Sequence, residues 1–235
     1  MKILQAIRNN IPNAITCMNL LSGSLACIAA FSAFDEVAFG LQGYQVAYIL
    51  IGMATVFDFF DGFVARLLHT VSSIGKELDS LCDAVSFGLA PAFILYMMMH
   101  TANPGSYICF AAMLIPIFGA LRLARFNVDT NQATVFTGLA IPSNAIFWIG
   151  FTAWYATHHT LSEWIVLAFI VALSLLMVSN LRMFSLKIHS FGIKENFRLY
   201  LLIIAAIIFI LIAGLPGLAW TIIFYVLLCA FSNER

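Results

Sequence analysis

Four aspartates, Asp58, Asp61, Asp79 and Asp83, stand at the edges of strongly apolar stretches, with Gly62, Ala65, Arg66 and Gly75 between them. Carboxylates are costly at membrane depth, and those kept there mark ion or substrate chemistry. Asp58 and Asp61 are three residues apart and Asp79 and Asp83 four apart, so on helices each pair shares one face. Four converging carboxylates in a low-dielectric site repel one another by several kcal/mol unless a cation neutralises them or they take up protons. A hard divalent cation such as Mg²⁺ or Mn²⁺ suits them, because it prefers oxygen ligands and keeps open positions for substrate phosphates. Gly62, Ala65 and Gly75 let a bulky ligand approach the helix backbone, and Arg66 offers a planar cation suited to phosphate. Taken singly, the small residues also read as helix-packing positions and Arg66 as a snorkelling helix-end anchor. Together the set describes phosphate transfer.

Written out, the stretch is D-x-x-D-G-x-x-A-R, eight residues, then G-x-x-x-D-x-x-x-D. It resembles the full signature of the CDP-alcohol phosphatidyltransferases, membrane enzymes that take a CDP-linked lipid or alcohol as donor. The resemblance implies that Asp58, Asp61 and Asp79 bind one or two divalent metals, that Asp83 lies at the metals and acts as the general base, and that Gly62, Ala65, Arg66 and Gly75 hold the nucleotide side. Beyond Asp83, the run Ala84-Val85-Ser86-Phe87-Gly88 is similar to the phosphatidylserine-synthase branch, as are Arg122-Leu123-Ala124-Arg125-Phe126-Asn127, Gly138-Leu139 and Pro142. The start is similar too, in Pro12-Asn13-Ala14-Ile15-Thr16, Asn19 and Gly23. Ala140 departs from that branch, where a second proline is expected before Pro142.

This branch implies CDP-diacylglycerol as donor, with Asn13 and Thr16 on the donor side, and L-serine as acceptor. Arg122 or Arg125 is expected to hold the serine carboxylate, with Ser86 and Asn127 as further acceptor contacts. It also implies a homodimer. Arg122 and Arg125 read equally as topology determinants, and Asn13, Thr16 and Ser86 as caps or interhelical hydrogen-bonders. Because the aspartate motif reports only the donor, glycerol 3-phosphate or an inositol compound stays open as acceptor. A cation transporter is the reading from another class; it would need polar residues along a path through both leaflets.

The elements that must position these residues are membrane helices. At 63% hydrophobic and 9% charged residues, with mean hydropathy +0.99, the 235-residue chain has too little polar surface for a soluble globule. Apolar runs of about 20 residues fit spanning helices rather than the ~10-residue alternating strands of a barrel. Eight spans are expected, over residues 14–34, 44–66, 79–100, 105–126, 138–157, 161–181, 197–214 and 216–232, all in one domain over 1–235. Turn signals at Gly40 and Gly43, at Asn103-Pro104-Gly105 and at Pro216-Gly217 separate them. The last predicts a hairpin between the final two spans.

Charge placement checks that count. All eleven Lys and Arg, from Lys2 and Arg8 to Lys187, Lys194, Arg198 and Arg235, fall on one side of an eight-span chain, and Asp35, Glu36, His100, His158, His159 and Glu163 fall on the other. The positive-inside rule makes the first side cytoplasmic, together with both termini and the aspartates. Ile3, Leu4, Ile7 and Ile11 oppose Lys2, Gln5, Arg8 and Asn9 on a helical wheel, which predicts a short interfacial helix before the first span. Residues 14–34 read as a span rather than a cleaved leader. Cys17, Cys27, Cys82, Cys109 and Cys229 lack metal spacing and read as packing residues. No feature suggests nucleic-acid binding.

Overall fold

The computed structural model describes the backbone of residues 2–128, 136–158, 161–184 and 196–231; side chains at 2–7, 9 and 136 are outside the description. The first helix, α1 (Lys2–Phe31), runs without a break through Pro12. The separate interfacial helix is therefore corrected: residues 2–9 are the leading turns of α1, continuous with the apolar stretch Asn10–Phe31. The faces expected of Lys2, Ile3, Leu4, Gln5, Ile7 and Asn9 lie outside the described residues. Proline has no N–H to give and can sit in a helix only where that loss is tolerated. Here the carbonyl of Pro12 gains a donor, the Thr16 hydroxyl at 3.0 Å.

Buried positions on α1 recur every three or four residues and divide in character along its length. Thr16, Asn19 and Ser22 come first, then Ala26, Ala29 and Ala30. The alanine half lies in the same core as Ala47, Ile51 and Ala54 of α2 (Gly43–Leu67), and small residues on both sides allow the two helices to run close. A tight ribbon, β1 (Glu36–Ala38) against β2 (Leu41–Gln42), joins them and was not expected from the sequence.

The third and fourth elements form one helical stretch, Ser73–Ala102, made of α3 (Ser73–Asp83), a π-helical segment (Ala84–Leu89) and α4 (Ala90–Ala102). Ser72 caps it, accepting the Gly75 N–H at 3.0 Å. The π segment has a local cause. Pro91 lies in the first turn of α4 and cannot donate to the carbonyl four residues back, and its ring crowds that carbonyl, so a wider turn before it relieves both problems. Next come a 3₁₀ turn (Ile108–Met113) and α5 (Leu114–Val128).

Strand β3 (Phe136–Thr137) pairs with β4 (Arg182–Met183), bracketing α6 (Ile141–His158) and α7 (Glu163–Met177). Gly138, with φ +71, has no room for a side chain, since a Cβ would strike the Met177 carbonyl. Helix α6 forms the centre: Phe147 and Trp148 are almost fully buried, and Thr152 bonds Tyr48 of α2 at 2.7 Å. The expected hairpin is present between α8 (Phe197–Ala213) and α9 (Gly217–Ala230), turning at Gly214 with φ +67.

Eight continuous helical stretches among the described residues stand at the places of the eight expected spans, α6 among them. Four, Asn10–Phe31, Gly43–Leu67, Ser73–Ala102 and Ile108–Val128, are long and apolar enough to cross a membrane. Three shorter apolar helices follow, and α8 exposes Ile203, Ile204, Ile207, Leu211 and Ile212 on its outer side. With apolar side chains outside and the polar backbone satisfied within helices, this is a helical integral membrane protein whose only strands among the described residues are two short ribbons. Four of the five cysteines are buried and Cys17 is exposed; all are free thiols.

Contacts also gather the basic residues at one end of the bundle. Arg8 donates to the Leu68 carbonyl at 2.9 Å, Lys76 to the Asn127 carbonyl at 3.2 Å and Arg125 to the Val178 carbonyl at 2.7 Å. Lys187, Lys194, Arg235 and His159 lie outside the described residues.

Candidate active site

The four aspartates meet at that same end, where α1, α2 and α3 converge. Asp58 and Asp61 project from the last three turns of α2, Asp79 and Asp83 from the second half of α3. Carboxylate oxygens of Asp58, Asp61 and Asp79 lie within 4.8 Å of one another. Asp83 is outside that triad and deeper, within hydrogen-bond reach of Asp58 and 3.4 Å from the Asn19 amide nitrogen. The Thr16 hydroxyl and the Gly62 N–H approach Asp61.

Two buried oxygens, Oδ2 of Asp61 and Oδ1 of Asp79, have no partner among the described residues. At such separations each ionised pair repels by about 3 kcal/mol at an effective dielectric of ~20. Three hard oxygen donors, mutually repelling and short of partners, fit a divalent cation.

Beside the triad is an open pocket of about 220 Å³, lined by Asp61, Asp79, Gly62, Ala65, Arg66, Gly75, Asn13 and Thr16 among others. Every donor-side residue expected from the sequence is therefore at one place. The bare Gly62 lets the Arg66 guanidinium lie across the α2 backbone, where a Cβ would touch Nη1 at 3.4 Å. A Cβ on Gly75 would press on Asn13 Oδ1 at 3.1 Å and narrow the pocket. Thr70, Ser72 and Lys76 also line it and were missed in the sequence. Ser72 had a readable signal, a serine three residues before Gly75 at a helix start, whereas Thr70 and Lys76 had none.

The four acceptor-side candidates separate. Ser86 is fully buried on the π segment and donates to the Asn19 carbonyl at 3.1 Å. Arg122 is mostly buried, within electrostatic reach of Asp83 and Tyr225, and its Nε has no hydrogen-bond partner among the described residues. Arg125 instead binds the end of α7 through Val178. Asn127 bonds Glu77 at 3.3 Å and Ser80 at 3.0 Å, tying α5 to α3. No contact among the described residues brings Arg125 or Asn127 to the carboxylates. Tyr225, from α9, could not be foreseen beside Arg122.

The CDP-alcohol phosphatidyltransferase profile matches residues 9–176, which runs from the second turn of α1 into the last turn of α7 and takes in every residue of this pocket. The chain belongs to that family. Its members depend on a divalent metal, and the Asp58, Asp61 and Asp79 triad is where this phosphatidyltransferase could hold one. Among relatives, a protein of Helicobacter pylori is 33% identical over 213 residues, covering 88% of this chain and 84% of its own length. One from Mycobacterium leprae is 30% identical over 233 residues, covering 93% and 76%. One from Bacillus subtilis is 36% identical over 135 residues, covering 57% and 70%. All three carry the name CDP-diacylglycerol–serine O-phosphatidyltransferase.

Proposed function

We propose that this chain transfers the phosphatidyl group of CDP-diacylglycerol to the hydroxyl of L-serine, giving phosphatidylserine and CMP. The observation that carries the reading is the acidic triad opening on a pocket that also holds Arg66, in a chain whose relatives bear that activity as their name. In this reading the whole of residues 1–235 is one catalytic domain. Asp58, Asp61 and Asp79, with Asp83 adjoining, hold Mg²⁺ or Mn²⁺, which when bound neutralises charge on the pyrophosphate.

The chain's own groups do the rest. Arg66, Gly62, Ala65 and Gly75, with Asn13 and Thr16, orient the nucleotide. Asp83 takes the proton as the serine oxygen forms its bond to the lipid-bound phosphorus, and the bond from that phosphorus to CMP breaks in line. Arg122 holds the serine carboxylate and so aims the hydroxyl. The test is to incubate the purified protein with CDP-diacylglycerol, Mg²⁺ or Mn²⁺ and labelled serine. Labelled phosphatidylserine with stoichiometric CMP is expected, and better use of glycerol 3-phosphate or an inositol compound would overturn the acceptor.

Arg122→Lys keeps the charge and loses the planar fork. It should raise the serine KM about tenfold or more, the ~1.4 kcal/mol of a charge-assisted bond, while leaving the CDP-diacylglycerol KM within about twofold. Unchanged serine KM would remove Arg122 from acceptor recognition.

The one-sided basic residues support a cytoplasmic active site and cytoplasmic termini, where CDP-linked donor and serine are supplied. A homodimer belongs to the proposal through the family resemblance. Val128 and Tyr107 are 83% and 86% exposed at opposite ends of the same helical stretch. In a background without native cysteines, Val128→Cys should react with an impermeant thiol reagent from the cytoplasmic side and Tyr107→Cys from the other side alone. Labelling of both from one side would overturn the orientation.

A further inference from the structure

Asn19 is wholly buried on α1, on the face that carries Asn13 and Thr16, and it touches the α3–α4 stretch twice. Its side-chain nitrogen donates to Oδ1 of Asp83 at 3.4 Å. Its main-chain carbonyl accepts the Ser86 hydroxyl at 3.1 Å. One turn on, Gly23 lies so close to Ser86 that a Cβ would overlap the Ser86 backbone. The two helices are therefore locked in register at the point where α3 gives way to the wider π turn, one residue after Asp83.

The orientation of the amide follows from its bond to Asp83. In that bond the side-chain nitrogen donates to the Asp83 oxygen, so the amide oxygen faces away from it. That oxygen is buried and has no partner among the described residues. An asparagine serving as a staple between helices would have both ends of its amide satisfied, since a buried unpaired end costs stability. Here the end directed at the carboxylate is the one that is used. The Asp58 carboxylate is also within hydrogen-bond distance of Asp83, a contact that two carboxylates make only by sharing a proton or a cation. A free carboxylate there could rotate about its last torsion and turn its oxygens towards the triad.

We propose that Asn19 is the positioning residue of the transfer reaction: it holds one oxygen of Asp83 so that the other is presented to the acceptor hydroxyl. The inference rests on the reading of Asp83 as proton acceptor. It assigns no contact between Asn19 and substrate. It predicts that losing the amide harms the transfer step and spares donor binding, because the pocket wall of Asn13, Gly62, Arg66 and Gly75 is untouched.

The test uses the full-length protein in detergent with CDP-diacylglycerol, Mg²⁺ and serine. Asn19→Leu keeps the branched shape and removes the donor; Asn19→Ala removes it without risk of overpacking. For each, kcat, both KM values, the dissociation constant of CDP in Mg²⁺ and the melting temperature are measured, beside Asp83→Asn. The expected result is a kcat at least tenfold lower in both Asn19 variants, with CDP binding and donor KM within about twofold of the parent. If one variant fails to fold, the other decides; if neither folds, or if CDP binding falls in step with kcat, Asn19 is structural and the proposal is overturned. If Asp83→Asn loses turnover while an Asn19 variant keeps kcat within threefold, positioning is overturned and the base assignment stands. If Asp83→Asn keeps parental turnover, the base assignment itself is wrong, and the positioning role falls with it.

Discussion

Asp58→Ala, Asp61→Ala and Asp79→Ala should each lower turnover by about a thousandfold or more, since the charge stabilisation a metal supplies at a phosphoryl centre is several kcal/mol. Excess chelator should do the same to the parent. The three side chains share one site with oxygens within 4.8 Å of each other, so removing any one takes a ligand from the whole set. A second measurement separates lost chemistry from lost folding. Without metal, each substitution removes a repelling charge from the cluster, at about 3 kcal/mol per pair at ~20 effective dielectric, so the metal-free variants should melt no lower than the metal-free parent. With metal the order should invert: at a hundred times its dissociation constant a bound cation stabilises the parent by about 2.7 kcal/mol, and variants that bind it weakly gain little. Substantial activity in any of the three, or in the parent with chelator, would remove the metal from the site.

The parts of this site that were legible in the sequence are those whose chemistry is costly enough to stand out. Four acids in an apolar chain demanded explanation, and their spacing of three and four placed each pair on one helical face; the structure puts them on the ends of α2 and α3 with Arg66 and Gly62 beside them. The helical stretches were legible for the same reason, since apolar length is a strong signal, although only four of them are long and apolar enough to cross a membrane. Boundaries were less so. Residues 79–100 became part of a helix beginning at Ser73, because Ser72 caps the chain in a stretch too polar to register as a span. Residues 14–34 became a helix from Lys2, as Pro12 is accommodated rather than breaking it. Long-range pairings left no trace. That Arg125 would spend its guanidinium on Val178, that Asn127 would bridge to Glu77 and Ser80, and that Arg122 would face Tyr225 depend on how α3, α5, α7 and α9 dock, which no local pattern encodes.

Asp83→Asn is expected to separate proton transfer from metal and donor binding. The substitution preserves size and leaves one carbonyl oxygen that can still accept from Asn19, so the geometry around α1 and the π segment should survive. What disappears is the capacity to take a proton from the attacking hydroxyl, and general-base catalysis contributes roughly 10²–10⁴ in rate. Turnover at saturating serine should fall by about that factor, while CDP binding in Mg²⁺ changes by less than about threefold. Asp61→Asn supplies the contrast. Asp61 lines the pocket and carries an oxygen with no partner among the described residues, so weakening it as a ligand should show first as lost metal-dependent donor binding. The two isosteric changes thus move different constants although the residues belong to one cluster. Near-parental turnover in Asp83→Asn at saturating serine would rule out proton removal by Asp83, and loss of CDP binding equal to that in Asp61→Asn would place Asp83 among the metal ligands instead.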